Sequence, residues 1–212
     1  MAQNETRSRG RPSKGADNSA LKAALLDAAL ALFGKKGFEG ASLSMIAQRA
    51  KTDTALSRYY FGSKQGLWTA AIDHLTSQLD LEITTVLQDT ADTNVEKLKA
   101  VIQWFVHMSA QRPYLARILV FEGSTERTPY VAQHLIEPFY ALLSALIDQA
   151  KVDGHIPKVE TRTIFFMITH GGSFPMSMPK LTNAFPGGNI RGKVALERHA
   201  QSIIQLIVRD ES

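Results

Sequence analysis

The chain has 212 residues, of which 44% are hydrophobic and 21% charged. This composition is typical of one globular domain or two small ones, and it excludes a wholly disordered or fibrous chain. Because the chain contains no cysteine, it has no disulfide, thiolate metal site or cysteine nucleophile.

The formal net charge of +4 is unevenly distributed along the chain. Residues 1–66 carry 11 Lys or Arg against 5 Asp or Glu, whereas the remainder carries 13 against 15. A local basic excess attracts polyanions, so we expect nucleic acid or an anionic membrane as the partner of the N-terminal third. A basic surface kept for solubility is the alternative. No apolar run approaches the ~20 residues of a membrane span and no secretory signal is evident, which predicts a cytoplasmic protein without membrane contact.

Residues 1–18 are polar and basic and are predicted to form a flexible arm. Arg9 and Arg11 flank a glycine and precede a proline, an extended arrangement that can place arginines in the narrow minor groove of DNA. A plain basic tail explains the same residues.

The next segment, 19–66, is predicted to be a domain of short helices with a helix-turn-helix. Ser19 is a candidate N-cap of the first helix, which ends at Gly37 with Phe38 folded back onto it. Ser42 is the candidate N-cap of the second helix, which has one apolar face. Asp53 can cap a third short helix over 54–60.

Beyond this turn, Ser63 is the candidate N-cap of a long fourth helix with apolar residues at helical spacing. The whole stretch resembles the N-terminal domain of the tetracycline-repressor (TetR) family over about residues 21–70. The resemblance is carried, in order, by Leu26-Asp27-Ala28-Ala29, Leu32-Phe33, Lys36-Gly37-Phe38, Ser42-Leu43, Ile46-Ala47, Ala50, Tyr59-Tyr60-Phe61-Gly62-Ser63-Lys64 and Leu67. It implies an all-helical homodimer, usually a repressor, whose C-terminal domain binds a small molecule or another signal.

The chain departs from the family pattern around the predicted turn. Lys51 stands where the family usually has a glycine, Thr52 where an aliphatic residue is common, and Ser57 where a buried Leu or Val is typical. Leu56, one position earlier than Ser57, is expected to supply part of the missing apolar contact.

The third helix is predicted to read DNA from the major groove, with phosphate contacts at its flanks. The predicted base-reading residues are Thr54, Ala55 and Arg58. The predicted phosphate contacts are Ser42, Tyr59 and Lys64, and the family resemblance implies the last two as well. Packing of Tyr59 and Tyr60 against the first helix is the alternative for those two aromatic residues.

Residues 67–212 are predicted to form a larger helical domain for ligand binding and dimerisation. A Thr93/Glu96 capping box starts a helix over 94–111, and further helices are predicted over 113–122, 129–152, 159–170 and 191–208. Gly and Pro residues predict a long loop over 171–190.

Large side chains with a polar group, together with phenylalanines, are the candidate lining of a ligand pocket in these helices. These candidates are Trp104, Phe105, His107, Tyr114, Arg117, Phe121, Glu122, Phe139, Tyr140, Phe166 and His170. Ordinary core packing is the alternative for each aromatic residue.

The last two long helices are predicted to form the dimer interface, as the family resemblance implies. Their apolar stripes are Ile164, Phe165 and Ile168 in one helix and Leu196, Ala200, Ile203, Ile204 and Ile207 in the other. Packing within a single subunit is the alternative, since helix amphipathicity does not identify the partner.

Catalysis is not expected. His170-Gly171-Gly172-Ser173 superficially resembles an esterase oxyanion loop, but no nucleophile elbow accompanies it and it is interpreted as a helix end. The histidines lack metal-ligand spacing, so neither a metal nor another cofactor is predicted.

The sequence therefore predicts an all-α, ligand-responsive transcription regulator that binds a palindromic operator as a dimer and is released by a small molecule. Two alternatives stay open: a helical ligand-binding protein or enzyme without specific DNA binding, and a non-specific architectural DNA binder.

Overall fold

The computed structural model describes residues 14–90 and 93–209, and all of its regular structure is helical. The N-terminal elements are α1 (Lys14–Gly40), α2 (Leu43–Arg49), α3 (Thr54–Phe61) and α4 (Lys64–Gln88). The middle of the chain forms α5 (Asn94–Gln111), α6 (Tyr114–Glu122), α7 (Thr128–Val131), a π turn (Ala132–Ile136) and α8 (Glu137–Val152). The remaining helices are α9 (Thr161–Ser177), α10 (Pro179–Thr182) and α11 (Lys193–Ile207).

Local sequence signals set most helix ends. The side chains of Ser42, Asp53, Ser63 and Thr93 each accept a hydrogen bond from a backbone N–H in the first turn of α2, α3, α4 and α5. Gly37 leaves helical geometry with φ 70°, which a glycine adopts without steric cost. These predicted caps are confirmed.

The start of α1 was predicted wrongly. The helix begins at Lys14, so Ser19 lies inside it instead of capping it, and 14–18 belong to the helix and not to an arm. The residues after Ser19 are good helix formers, but Gly15, Asp17 and Asn18 before it are not, so helix propensity does not explain the earlier start. Arg9 and Arg11 lie outside the described residues.

The predicted loop over 171–190 was wrong in its first part, because α9 continues through two glycines and Pro175 to Ser177. Gly172 permits a close helix crossing: a Cβ atom there would lie 2.9 Å from Cδ1 of Phe105 in α5. Pro175 has no N–H for the carbonyl oxygen of Gly171, and this oxygen instead lies 2.9 Å from Nε2 of His199 in α11. Both apparent helix breakers are therefore accommodated by packing on other helices.

The predicted dimer stripes lie inside the subunit. Ile164, Phe165 and Ile168 of α9 belong to one buried cluster with Ala200, Ile203, Ile204 and Ile207 of α11 and residues of α5 and α8, and Leu196 packs against it half-buried. The intramolecular alternative is therefore correct for these residues. The opposite face of α9 exposes Phe166, Met167 and Phe174.

A second buried cluster extends from the N-terminal helices into the larger domain. It includes Leu25 and Phe33 of α1, Trp68 of α4, and Ile118 of α6. The predicted boundary at 66/67 falls within the first turn of α4, and this common core crosses it. No helix in the described ranges is both long enough and apolar enough to cross a membrane.

Candidate nucleic-acid interface and ligand cavity

The α2–turn–α3 unit is fixed by short-range hydrogen bonds. The N–H of Thr52 donates to the carbonyl oxygen of Ala47 at 2.9 Å, and Asp53 Oδ1 accepts from the N–H of Ala55 at 2.7 Å. Helix α3 ends where the N–H of Gly62 donates to the carbonyl oxygen of Arg58 at 2.8 Å. These bonds close a helix-turn-helix.

Helix α3 presents an open face. Ala55 and Arg58 are exposed, Thr54 is half-buried, and the side chain of Tyr59 is 80% exposed. The alternative interpretation, that Tyr59 packs against the first helix, is therefore wrong. Arg58 makes no ion pair with any residue in the described part of the chain, which leaves its guanidinium available for phosphate or guanine.

Tyr60 behaves differently from its neighbour. It is half-buried against the N-terminal core, its hydroxyl donates to Oδ1 of Asn18 at 3.1 Å, and Nζ of Lys22 lies 4.9 Å from its ring centroid. Packing on α1 is therefore correct for Tyr60. This contact holds the end of α3 against α1.

The predicted phosphate contacts at the flanks have unequal freedom. Ser42 is exposed at the start of α2, where its Oγ accepts from the N–H of Met45 at 3.2 Å. Lys64 is already engaged: Nζ donates to the carbonyl oxygen of Phe38 at 3.1 Å and lies 4.3 Å from the ring centroid of Phe38 and 3.8 Å from Glu39. Lys64 thus ties α4 to the end of α1, a role that sequence reasoning missed.

The departures from the family pattern have visible structural consequences. Lys51 occupies the left-handed region at φ 56°, which costs a residue with a Cβ atom more than it costs glycine. Ser57 is fully buried, and its Oγ finds no hydrogen-bond partner among the described residues. Leu56 is 38% exposed, so the expectation that it replaces the apolar contact of a larger residue at position 57 is wrong.

The larger domain holds a partly open cavity of about 750 Å³ between α4, α5, α6, the π turn, α8 and α9. Its size lies within the range of small-molecule sites. Seven of the eleven predicted lining residues do line it: Trp104, Phe105, Arg117, Phe121, Phe139, Phe166 and His170.

The other four predicted residues lie elsewhere. His107 is on the opposite face of α5, where its Nε2 lies 3.2 Å from Oε2 of Glu197. Tyr114 packs on α1, Glu122 is a buried ion-pair partner, and Tyr140, which does not line the cavity, packs its ring edge-to-face with that of Phe165, which does. The reason is common to all four: a helix that is apolar on two faces does not show which face borders the cavity.

One polar network of the cavity wall escaped sequence reasoning. Arg112 donates to both carboxylate oxygens of Glu82, at 2.5 and 3.2 Å, and Nε1 of Trp104 donates to the same carboxylate at 3.2 Å. The hydrogen bond with Glu82 raises the pKa of Arg112 above its usual value. The pairing joins residues 30 positions apart, for which the sequence offers no signal.

The π turn adds a second missed set of residues. It places His134, whose Nδ1 lies 2.9 Å from the carbonyl oxygen of Tyr130, in the cavity wall. Tyr130 in turn donates its hydroxyl to Oδ1 of Asp73 in α4 at 2.5 Å. Burial and this hydrogen bond raise the pKa of Tyr130 to about 12.

The cavity touches the N-terminal helices through the end of α6. The ring of Phe121, which lines the cavity, lies 3.5 Å from the position that a Cβ atom would take at Gly37. Next to it, the carboxylate of Glu122 accepts from Nε of Arg127 at 2.7 Å, and both side chains are buried. The guanidinium of Arg127 lies 4.0 Å from the ring centroid of Phe38. The C-terminal end of α1 is thus in direct contact with Phe121 of the cavity wall.

An exposed helix-turn-helix joined to a helical domain with a partly open cavity is typical of a ligand-binding transcription regulator. The model of the bacterial regulatory proteins of the tetR family matches residues 25–71. Residues 25–71 are thus a DNA-binding domain of the tetR type, and the similarity supports a transcriptional regulator of that family.

Curated relatives and solved structures are similar to this chain over most of its length. The HTH-type transcriptional regulator RutR of Escherichia coli (strain K12) is 25% identical over 211 residues, covering 98% of this chain and 97% of RutR. The HTH-type transcriptional repressor SCO4008 of Streptomyces coelicolor is 24% identical over 196 residues, covering 91% and 97%. The fold is similar to that of AibR, solved with isovaleryl coenzyme A and operator DNA, with a TM-score of 0.70, 18% identity and coverage of 88% of this chain and 97% of AibR.

Proposed function

We propose that the chain is a repressor that binds a palindromic operator as a homodimer and leaves it when a small molecule occupies the cavity. The observation that carries the proposal is the open face of α3, on which Arg58 and Tyr59 are exposed and Arg58 forms no ion pair with any described residue. Acting on the bacterial chromosome, the protein would work in the cytoplasm.

The assignment of DNA contacts follows from this face. Arg58 is suited to bidentate pairing with a guanine, Thr54 to a hydrogen bond, and Ala55 to a thymine methyl group. Tyr59 and Ser42 are placed at the flanks, where phosphates lie when a helix enters the major groove. Lys64 contributes to phosphate binding with the N–H donors that its bond to Phe38 leaves over.

Dimerisation is supported by the exposed side of α9. Phe166, Met167 and Phe174 lie on it and are each about half exposed, which is unusual for large apolar side chains clustered on one helix. A two-fold axis at this face would duplicate α3, and a palindromic operator needs two such helices about 34–36 Å apart.

Release by a ligand is supported by the contacts at the end of α6. A ligand that displaces Phe121 acts on Gly37, and one that shifts α6 acts on Phe38 through Glu122 and Arg127. Such a ligand lowers DNA affinity only by the difference between its affinities for the two arrangements. AibR, which has a similar fold, was solved with both isovaleryl coenzyme A and operator DNA. This supports a ligand site and a DNA site in the same chain.

A mobility-shift titration tests the proposal with the duplex upstream of the chain's own gene and a scrambled duplex of equal length. We expect the upstream duplex to bind at least tenfold more tightly, with a steep salt dependence. The absence of any shift would favour a ligand carrier, and equal shifts with both duplexes would favour a non-specific architectural protein.

A further inference from the structure

The cavity is unusually rich in aromatic side chains. Six of the ten phenylalanines in the chain line it, and one of the two tryptophans, Trp104, joins them. The six are Phe105, Phe121, Phe139, Phe165, Phe166 and Phe174. Branched aliphatic side chains would be enough to bind an aliphatic ligand, so this concentration of aromatic rings favours a ligand that contains a flat ring.

The rings form a connected wall. Phe105 and Phe139 are stacked with centroids 5.3 Å apart and planes at 16°, and Phe165 follows with its centroid 6.1 Å from that of Phe139. Phe166 continues the row at 5.8 Å from Phe165, and His170 lies 5.6 Å from Phe166. Ring-to-ring spacing of this kind accepts a further flat ring in stacked or edge-to-face contact.

The charged residues of the cavity do not favour an ionic ligand. Arg112 is neutralised by its two hydrogen bonds to Glu82. Arg117 on α6 and Asp80 on α4 are of opposite sign and both exposed, so water screens each of them. Neither positive nor negative charge therefore predominates in the cavity wall.

The more enclosed polar groups offer hydrogen bonds without charge. A carbonyl oxygen only accepts, so Nδ1 of His134 donates in its bond to Tyr130, and in the tautomer protonated at Nδ1 the other ring nitrogen, Nε2, is an acceptor. Ser109 is 4% exposed and lines the cavity, so its hydroxyl is one of the enclosed polar groups of the wall. The wall therefore holds an imidazole and a hydroxyl that can form hydrogen bonds with a ligand.

We propose that the cavity takes a neutral aromatic molecule that carries a hydroxyl group. Its ring packs on the wall formed by Phe105, Phe139 and Phe165, and its hydroxyl donates to Nε2 of His134, with Ser109 as the second polar contact. The inference rests on the proposed function only in taking the cavity as the effector site.

Calorimetric titration of the full-length protein with five probes tests this ligand class. The probes are 2-naphthol, its methyl ether 2-methoxynaphthalene, 2-naphthoate, 2-naphthylmethylammonium and 1-decanol. We expect 2-naphthol to bind about five- to tenfold more tightly than the ether, because only the phenol donates a hydrogen bond. Tighter binding of the carboxylate or of the ammonium ion would overturn the proposal, as would decanol equalling naphthol or no probe binding at all.

Two variants locate the hydroxyl group. His134→Phe keeps a ring stacked on Tyr130 but removes the acceptor, so the preference for naphthol over its ether should disappear while the ether binds as before. Ser109→Ala should reduce the same preference by a smaller factor. The control His107→Phe changes a histidine on the far face of α5 and should leave the preference intact. An unaltered preference in His134→Phe would contradict the assignment, and retained ether binding in each variant shows that the cavity is folded.

The failure of this inference can be told apart from failure of the proposed function. Operator binding by the ligand-free protein tests the function, whereas the probe series tests the cavity alone. If 2-naphthol binds with the expected preference and specific DNA binding is absent, the ligand class stands and the repressor proposal fails. If specific DNA binding is present and a charged probe binds more tightly than 2-naphthol, only the proposed ligand class fails.

Discussion

The helix-turn-helix and the cavity are built from the sequence in opposite ways. The helix-turn-helix depends on contacts within about twenty residues, such as the bond from Ala55 to Asp53 and the bond from Thr52 to Ala47. The cavity brings together side chains from α4 to α9, and its polar pair, Glu82 and Arg112, is separated by 30 positions. Turns and helix caps can be predicted from sequence because their hydrogen bonds join neighbouring residues, whereas a cavity wall depends on which helix faces pack together.

The largest expected effect lies where the two regions join. Arg127→Ala leaves the carboxylate of Glu122, which is 2% exposed, without its cation, and we expect a loss of about 3–5 kcal/mol in the free energy of unfolding. Urea denaturation followed by circular dichroism measures it. Lys99→Ala removes an exposed pair with Glu96 and should cost less than about 1 kcal/mol. Equal losses in both variants would show that the buried pair does not join the two regions.

The second prediction tests the close crossing of α9 over α5. Gly172→Ala places a Cβ atom 2.9 Å from the ring of Phe105, and we expect it to destabilise the protein by about 1–3 kcal/mol. The neighbouring Gly171→Ala meets nothing closer than 3.8 Å and should stabilise α9 by about 0.5–1 kcal/mol. Thermal unfolding of the two variants should shift in opposite directions, and a shift in the same direction would contradict the crossing.

This pair of glycines also shows where sequence reasoning stopped. The motifs around Gly37, Ser42, Asp53 and Ser63 place α1 to α4 with one error, the start of α1, because each signal acts on its own turn. Gly172 looks the same in sequence as a helix-ending glycine, and only the ring of Phe105 in α5 explains it. For the same reason seven of eleven cavity residues were found, while His134 was missed because no local pattern marked the π turn.

The third prediction concerns the surface of α3. Arg58→Ala should weaken binding to the specific duplex by about 1–3 kcal/mol and reduce the preference over the scrambled duplex, if Arg58 reads a base. Lys64→Ala should weaken both duplexes alike and flatten the salt dependence. It should also lower the stability of the free protein, since Lys64 holds the carbonyl oxygen of Phe38.

Fluorescence anisotropy at several salt concentrations separates these effects, with Lys99→Ala on α5 as the remote control. A loss in Arg58→Ala that is the same for both duplexes would reassign this residue from base to phosphate.

The fourth prediction addresses the buried hydroxyl of Ser57. Ser57→Ala removes an Oγ that has no partner among the described residues, and we expect a gain of roughly 1 kcal/mol in unfolding free energy. Ser44→Ala, at an exposed position of α2, should change stability by less than about 0.5 kcal/mol. A loss of stability in Ser57→Ala would mean that the hydroxyl is bonded, for example to water.

The smallest expected effect is at the turn between α2 and α3, where Lys51 stands at the position of the glycine usual in the family. Lys51 has φ 56°, and Lys51→Gly exchanges the strain of a Cβ atom in the left-handed region, about 1–2 kcal/mol, for the larger chain entropy of glycine, about 0.5–1 kcal/mol. The net gain should be about 0.5 kcal/mol, visible as a small rise in the urea midpoint with an unchanged slope. Lys35→Gly, inside α1, lacks the compensating strain and should lose about 0.5–1 kcal/mol. Because the two substitutions are chemically identical, opposite signs isolate backbone geometry as the cause, and equal losses would show that Lys51 is not strained.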